Sequence, residues 1–261
     1  MSDVGLTLRQ VKYTNRSFFR NPASAWFTFG FPLMFLVIFT AIFGGTQKFM
    51  LNGAFVVVRT STYYIPAIAT FSIITATYTN LAMSVTFLRE AGTLKRIRGT
   101  PMPGADYLAA RIIHAVLVAI LLTIIVTLFG VVFYHAHVTG RTLPAFSVTV
   151  VVGAACFSAL GLAITSVIPN ADAAPAIVNA SILPLLFLSG VFIPLQDHTA
   201  WYVTLAKVFP VYHFAHAMLG AFFLPRGTGF AGTDLLVMAV WGVAGVLFAI
   251  WKFSWEPRSG H

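Results

Sequence analysis

His213 and His216 stand three residues apart in a segment of helical pattern, a spacing that sets two imidazoles on one face and could hold a divalent metal. A metal centre needs further ligands, and no cysteine or carboxylate follows at ligand spacing; Asp197 and His198 are the nearest candidates. The pair therefore reads as interfacial histidines, as do His135 and His137. Asp172, Asp197 and Asp234 are isolated in the sequence, which disfavours a membrane-embedded transferase built on clustered Asp, His and Ser. The single cysteine, Cys156, lies in an apolar run and excludes an intrachain disulfide or a thiolate-rich metal site. No G-x-x-x-x-G-K-[ST] phosphate loop occurs, and Gly227-Thr228-Gly229 lacks the lysine, so the chain is not expected to hydrolyse ATP alone. These residues make no catalytic, cofactor-binding or metal-binding set, and no basic tract interleaved with aromatics suggests nucleic acid.

The segment 89–106 is chemically distinctive. It runs Arg89-Glu90-Ala91-Gly92-Thr93-Leu94-Lys95-Arg96-Ile97-Arg98-Gly99-Thr100-Pro101-Met102-Pro103, with four of the sixteen basic residues, between two long apolar runs. Thr93 is placed to cap a short helix, Gly99 to stop it and Pro101 and Pro103 to prevent its continuation. Asp106 stands as a cap at the next apolar run. Leu94 and Ile97 fall on one face and Lys95, Arg96 and Arg98 elsewhere, so a small apolar face ringed by cations is expected to dock in a partner's groove.

The elements that hold this loop are membrane spans. Hydrophobic residues are 58% of the chain and charged residues 9%, against about 25% charged in soluble domains, so the chain is an integral membrane protein. Six runs of spanning length are expected, at 26–43, 63–87, 107–134, 144–168, 173–195 and 233–253. The first is expected to be a retained span rather than a cleaved signal. The fourth and fifth are parted by a tight turn at 169–172. Ten Lys and Arg fall on the side of the leader, the 89–106 loop and the tail, and five on the other, which puts both termini and the loop in the cytoplasm. The whole chain, 1–261, reads as one membrane domain with an all-α fold.

In the leader, 1–25, Arg9, Lys12, Arg16 and Arg20 share one helical face, with Val4, Leu8, Val11, Phe18 and Phe19 on the neighbouring face. That pattern predicts an amphipathic helix in the headgroup layer, its cations on anionic lipid, broken at Asn21-Pro22. Within the spans, Asn80, Asn179 and Ser181 could face a pathway between two protomers or bond neighbouring helices. Gly153, Ala154, Ser158 and Gly161 in the fourth span, and Gly242 and Gly245 in the sixth, mark close helix packing. His114 and Arg111, a turn apart, lie where they could touch the charged loop or lipid headgroups.

The order Glu90-Ala91-Gly92-Thr93-Leu94, a basic turn, then Thr100-Pro101 resembles the coupling loop of ABC-2 type exporter permeases, the daunorubicin-resistance-like drug and lipid exporter subunits among them. The stretch from Leu186 to Leu195, followed by Phe209-Pro210-Val211-Tyr212, is similar to the end of that family's fifth span and the segment after it; Phe209 stands where the family often has Asn. The resemblance implies a permease half in the cell inner or plasma membrane with an external re-entrant region at 196–232. It implies a second permease protomer, identical or paralogous, and an ABC ATPase subunit that carries ATP and magnesium and docks on 89–106 and the leader. It also implies outward movement of a drug, a lipid or a lipid-linked glycan. Two alternatives stand beside it: a polysaccharide or glycolipid exporter within the family, and an ion-coupled secondary transporter, which would need a mid-span carboxylate that none of the seven acidic residues supplies.

Overall fold

A computed structural model describes residues 3–51, 54–99, 103–136, 140–195, 200–223 and 228–256. The leader is helix α1 (Asp3–Phe19), followed by α2 (Pro22–Phe43). Strands β1 (Thr46–Leu51) and β2 (Ala54–Arg59) then pair antiparallel, with Thr46 opposite Arg59 and Leu51 opposite Ala54. Next come α3 (Thr60–Ile74), a π-helical segment (Thr75–Thr79) and α4 (Asn80–Glu90), which together make one continuous helix. The short α5 (Thr93–Arg98) leads to α6 (Gly104–Tyr134), α7 (Leu143–Thr165) and α8 (Ala174–Leu188). Two shorter helices, α9 (Trp201–Ala206) and α10 (Pro210–Phe223), precede the last, α11 (Gly232–Lys252). Proline is the first or second residue of α2, α7, α8 and α10, where its fixed φ suits a helix start and its missing N–H costs nothing.

Among the described residues, five helices are long and apolar enough to cross a membrane: Ala25–Phe43, Thr60–Glu90, Asp106–Tyr134, Gly140–Thr165 and Gly232–Lys252. The run expected to span at 173–195 is instead helical only over the 15 residues of α8, about 22 Å long against a hydrocarbon thickness of about 30 Å. Beyond it the chain turns at Gly190, φ +83°, and a neighbouring helix bonds the freed carbonyls: Tyr63 Oη donates to Gly190 O, and Tyr64 Oη donates to Phe192 O at 2.9 Å. At the other end of α8, Arg89 donates to Ile168 O. The segment 168–192 thus runs from the level of Arg89 to the level of Tyr63. The rest of the fold is helical, as expected, apart from one short hairpin of β1 and β2. Asn52-Gly53, outside the described residues, is the dipeptide that two-residue hairpin turns favour.

Close packing follows the small residues. An atom at Cβ of Gly161 would lie 2.8 Å from Tyr78 O and 3.1 Å from Thr77 O, so α7 meets the backbone of the π-helical segment directly. On the other face of α7, Gly242 and Gly245 bring α11 against the backbone at Cys156 and Ala159. Apolar side chains gain little by leaving lipid for protein, so backbone approach of this kind supplies much of the cohesion. The Gly161→Ala variant is expected to lower the thermal unfolding midpoint in detergent, by overpacking of about 1–3 kcal/mol. The Gly44→Ala variant, whose Cβ would meet nothing within 4 Å, should leave the midpoint unchanged.

Candidate functional site

The charged loop is built from a buried arginine outward. Arg89, at the end of α4, is only 2% exposed. Its Nη1 donates to Thr165 O at 2.9 Å and its Nη2 to Ile168 O at 2.8 Å, and Glu90 Oε1 lies 3.7 Å from Nη2. Thr165 is the last residue of α7, whose final carbonyls have no partner within the helix and carry the negative end of its dipole. A guanidinium there satisfies both demands. Glu90 is itself half-buried, so the pair closes the end of the bundle rather than reaching into solvent.

Gly92 then turns the chain with φ +68°, a left-handed conformation that costs a side chain energy and costs glycine little. Gly92 occupies the cap position of α5 and Thr93 is the first helical residue, which corrects the expectation that Thr93 caps it. Likewise Pro103 precedes α6 and Asp106 lies inside its first turn, not at the cap.

The largest correction concerns α5. Leu94 is fully buried in a cluster with Leu81, Val85, Tyr107, Leu162 and Ala249, and Ile97 packs against the same cluster with Phe253 and Trp255. The apolar face therefore seats α5 on the ends of α4, α6, α7 and α11; it is not offered to a partner. What faces outward is Lys95, Arg96 and Arg98, all exposed. Thr100 and Pro101, named for the same role, lie outside the described residues.

The leader is helical, as α1, with its cations exposed and its apolar residues divided between burial and exposure. Arg9, Lys12, Arg16 and Arg20 are exposed, and Val11 is buried. Phe18 meets Phe29 and His114 edge-on at 6.1 and 5.5 Å, and His114 Nδ1 is hydrogen-bonded to Asn15 Oδ1. Leu8 and Phe19 remain more than half exposed, as lipid-facing side chains of an interfacial helix would. The side chain of Val4 lies outside those described.

The three residues proposed to line a pathway are not brought together. Ser181 is tied to Tyr78 Oη at 2.7 Å and donates to Val178 O, Asn179 is half-buried on α8, and Asn80 is exposed to a separate cavity beneath the leader.

A cluster with no signal in the sequence lies at the opposite end from the loop. Asp234, in the first turn of α11, accepts from His213 Nδ1 at 2.6 Å and from His216 Nδ1 at 2.7 Å, so it is not isolated. His213 Nε2 donates to Lys207 O at 2.8 Å. A carboxylate and a carbonyl can only accept, so both nitrogens of His213 carry protons and the ring is an imidazolium. Burial opposes that charge, but the bonds to Asp234 and to the Lys207 carbonyl outweigh it and raise the pKa of His213 above its ordinary 6.5. Eighteen residues separate His216 from Asp234, and only the meeting of α10 with α11 brings them together. Among the described residues no group of three His, Cys, Asp or Glu is placed to hold a metal ion.

Comparison with known proteins bears on this arrangement. The family model described as ABC-2 type transporter matches residues 7–223. A curated relative from Bacillus subtilis (strain 168), named "Putative transport permease YvfS", is 24% identical over 176 residues, which cover 67% of this chain and 70% of that protein.

Two outcomes are expected. Arg89→Met strands two carbonyls and should lower the unfolding midpoint through a loss of about 3 kcal/mol, and Leu94→Ala through a similar loss, whereas Arg96→Ala should not move it. The bond between His213 and Asp234 contributes fully below pH 6.5 and is lost as pH rises through the raised value, so the midpoint should fall over that alkaline range. His213→Gln should flatten the pH dependence.

Proposed function

The chain belongs to the ABC-2 type transporter family, and from that premise we propose that it is the membrane subunit of an ABC exporter, driven by a separate ATPase subunit that holds ATP and magnesium. Its cargo is hydrophobic or amphipathic: a drug, a lipid or a lipid-linked glycan. Two such subunits, identical or paralogous, enclose the pathway, and the pair resides in the cell inner or plasma membrane with both termini and the charged loop in the cytoplasm.

The observation that carries this reading is the mounting of α5. Its cations Lys95, Arg96 and Arg98 face out, and Leu94 and Ile97 fix it to the ends of four membrane helices. Arg89, one turn away, holds the end of α7. A push on α5 is therefore delivered to α4, α6, α7 and α11 together. That is the mechanical requirement for coupling, in which nucleotide state and membrane state must each favour the other. The exposed cations of α1 supply a second contact for the ATPase or for anionic lipid.

Six crossings per subunit suit the family, the sixth being 168–192, which reaches from the level of Arg89 to that of Tyr63 with α8 as its helical part. The helices α9 and α10 then stay on the outer side as a re-entrant pair, with α10 fastened to α11 by Asp234. The ion-coupled alternative draws on that same Asp234 with its two histidines, but the cluster lies at one end of α11, and a proton path through the bundle would need further titratable groups.

Replacing Lys95, Arg96 and Arg98 together by Glu should abolish co-purification of an ABC ATPase and cargo export, with the unfolding midpoint unchanged. Retained ATPase and normal export would sink the docking role. A wild-type chain that never captures an ATPase from its native membrane would sink the exporter reading itself.

A further inference from the structure

Beneath the leader lies a cavity of about 460 Å³, walled by α1 on one side and by α4 and α6 on the other. Ligand pockets are commonly of about this size. Its floor is apolar, made by Ala76, Leu81, Ala115 and Val118, and its walls are polar, with Gln10, Thr14, Ser17, Asn80 and Ser84. Among the described residues no Asp or Glu lines it.

Arg111 projects into this space from the second turn of α6, about 10 Å along the axis from the helix start. Its Nε donates to Tyr107 Oη at 3.0 Å, its Nη1 donates to Ser84 Oγ at 3.1 Å, and its guanidinium carbon stands 5.4 Å from the centre of the Tyr107 ring. Among the described residues no carboxylate pairs with it. Those two bonds use two of the five N–H groups of a guanidinium, and both partners are neutral. A half-buried cation near the start of a candidate span, held by neutral partners and not neutralised, is the arrangement of a binding site rather than of a structural ion pair. A second hollow of about 250 Å³ shares Tyr13, Ser17 and Asn21 with the first and adds Arg16 and Arg20. Through those shared residues the two adjoin as one trough, with Arg111 lining the first hollow and Arg16 and Arg20 the second.

We propose that this trough binds the phosphate-bearing, net-negative head of a membrane amphiphile, with Arg111 as its fixed cation and Asn80 and Ser84 as neutral partners. The cations recognise the phosphate, the hydroxyls and amides solvate it, and the apolar floor receives the first part of the tail. A zwitterionic head would bring a second, positive charge to a site that has no anion to meet it. The head could belong to a resident phospholipid or to an exported amphiphile, since the recognition chemistry is the same.

The test is photo-crosslinking on the purified full chain in nanodiscs, which needs no ATPase and so stands or falls apart from the exporter reading. One preparation carries a photoactivatable phosphatidylglycerol and another the matching phosphatidylcholine, and labelled peptides are identified by mass spectrometry. Peptides of α1 and α6 should be labelled about tenfold more by phosphatidylglycerol, the ratio expected from one charge-assisted hydrogen bond. Arg111→Gln should reduce that labelling to the phosphatidylcholine level, and Arg111→Lys should keep most of it. Asn80→Asp, which adds a carboxylate at an exposed position and leaves Arg111 in place, should also abolish the preference, so that a loss does not depend on one variant's folding. When the assembled complex is given ATP and magnesium, a label that persists marks a resident lipid and a label that turnover removes marks cargo; both support the site. Equal labelling by the two probes, or undiminished labelling in well-folded Arg111→Gln, would overturn it.

Discussion

The guanidinium of Arg89 closes the loop end of the bundle, and much of the architecture there depends on it. A helix that ends inside a membrane protein leaves carbonyls with no partner, and lipid supplies none. Arg89 gives those at Thr165 and Ile168 their donors from a neighbouring helix, and so sets the height of α7, the turn after it and the start of α8 relative to α4. Because Arg89 and the Leu94 socket lie within five residues of each other, satisfying the end of α7 and seating the outward-facing cations are one structural event. The same segment closes the bundle and presents the exposed cations Lys95, Arg96 and Arg98.

The opposite end is fastened by different chemistry to the same purpose. Tyr63 and Tyr64 reach the carbonyls of Gly190 and Phe192, where the chain after α8 has left helical geometry and needs donors. Asp234 fastens α10 to α11 through two imidazoles, one of them charged. Between the two ends, Gly161 against the π-helical segment and Gly242 and Gly245 against α7 let backbones touch. Polar clasps at the ends and close backbone contact in the middle are what a bundle requires where the solvent is as apolar as the core.

Polarity was legible from the residues themselves; partnership was not. The leader's two faces, the small-residue stripes and the membrane class could all be read along the chain, because each depends on composition or on a period of a few residues. The hairpin lies between two expected spans, and its local signal is the turn dipeptide Asn52-Gly53 followed by the β-branched Val56, Val57 and Val58. Asp234 could not be joined to His213 by any local rule, since the two lie 21 positions apart and the meeting depends on how α10 folds back.

The sequence by itself determined that this is a membrane protein, which family it resembles, where its charged loop lies and that α5 would be amphipathic. Only the tertiary structure decided which way α5 faces, that Arg89 is buried rather than solvated, and that Arg111 opens on a cavity without a carboxylate. The reason is physical. In water, burial follows hydrophobicity, so an apolar face predicts its own direction. In a bilayer an apolar side chain is at home against lipid or protein, and its direction is set by which polar groups on neighbouring helices must be satisfied.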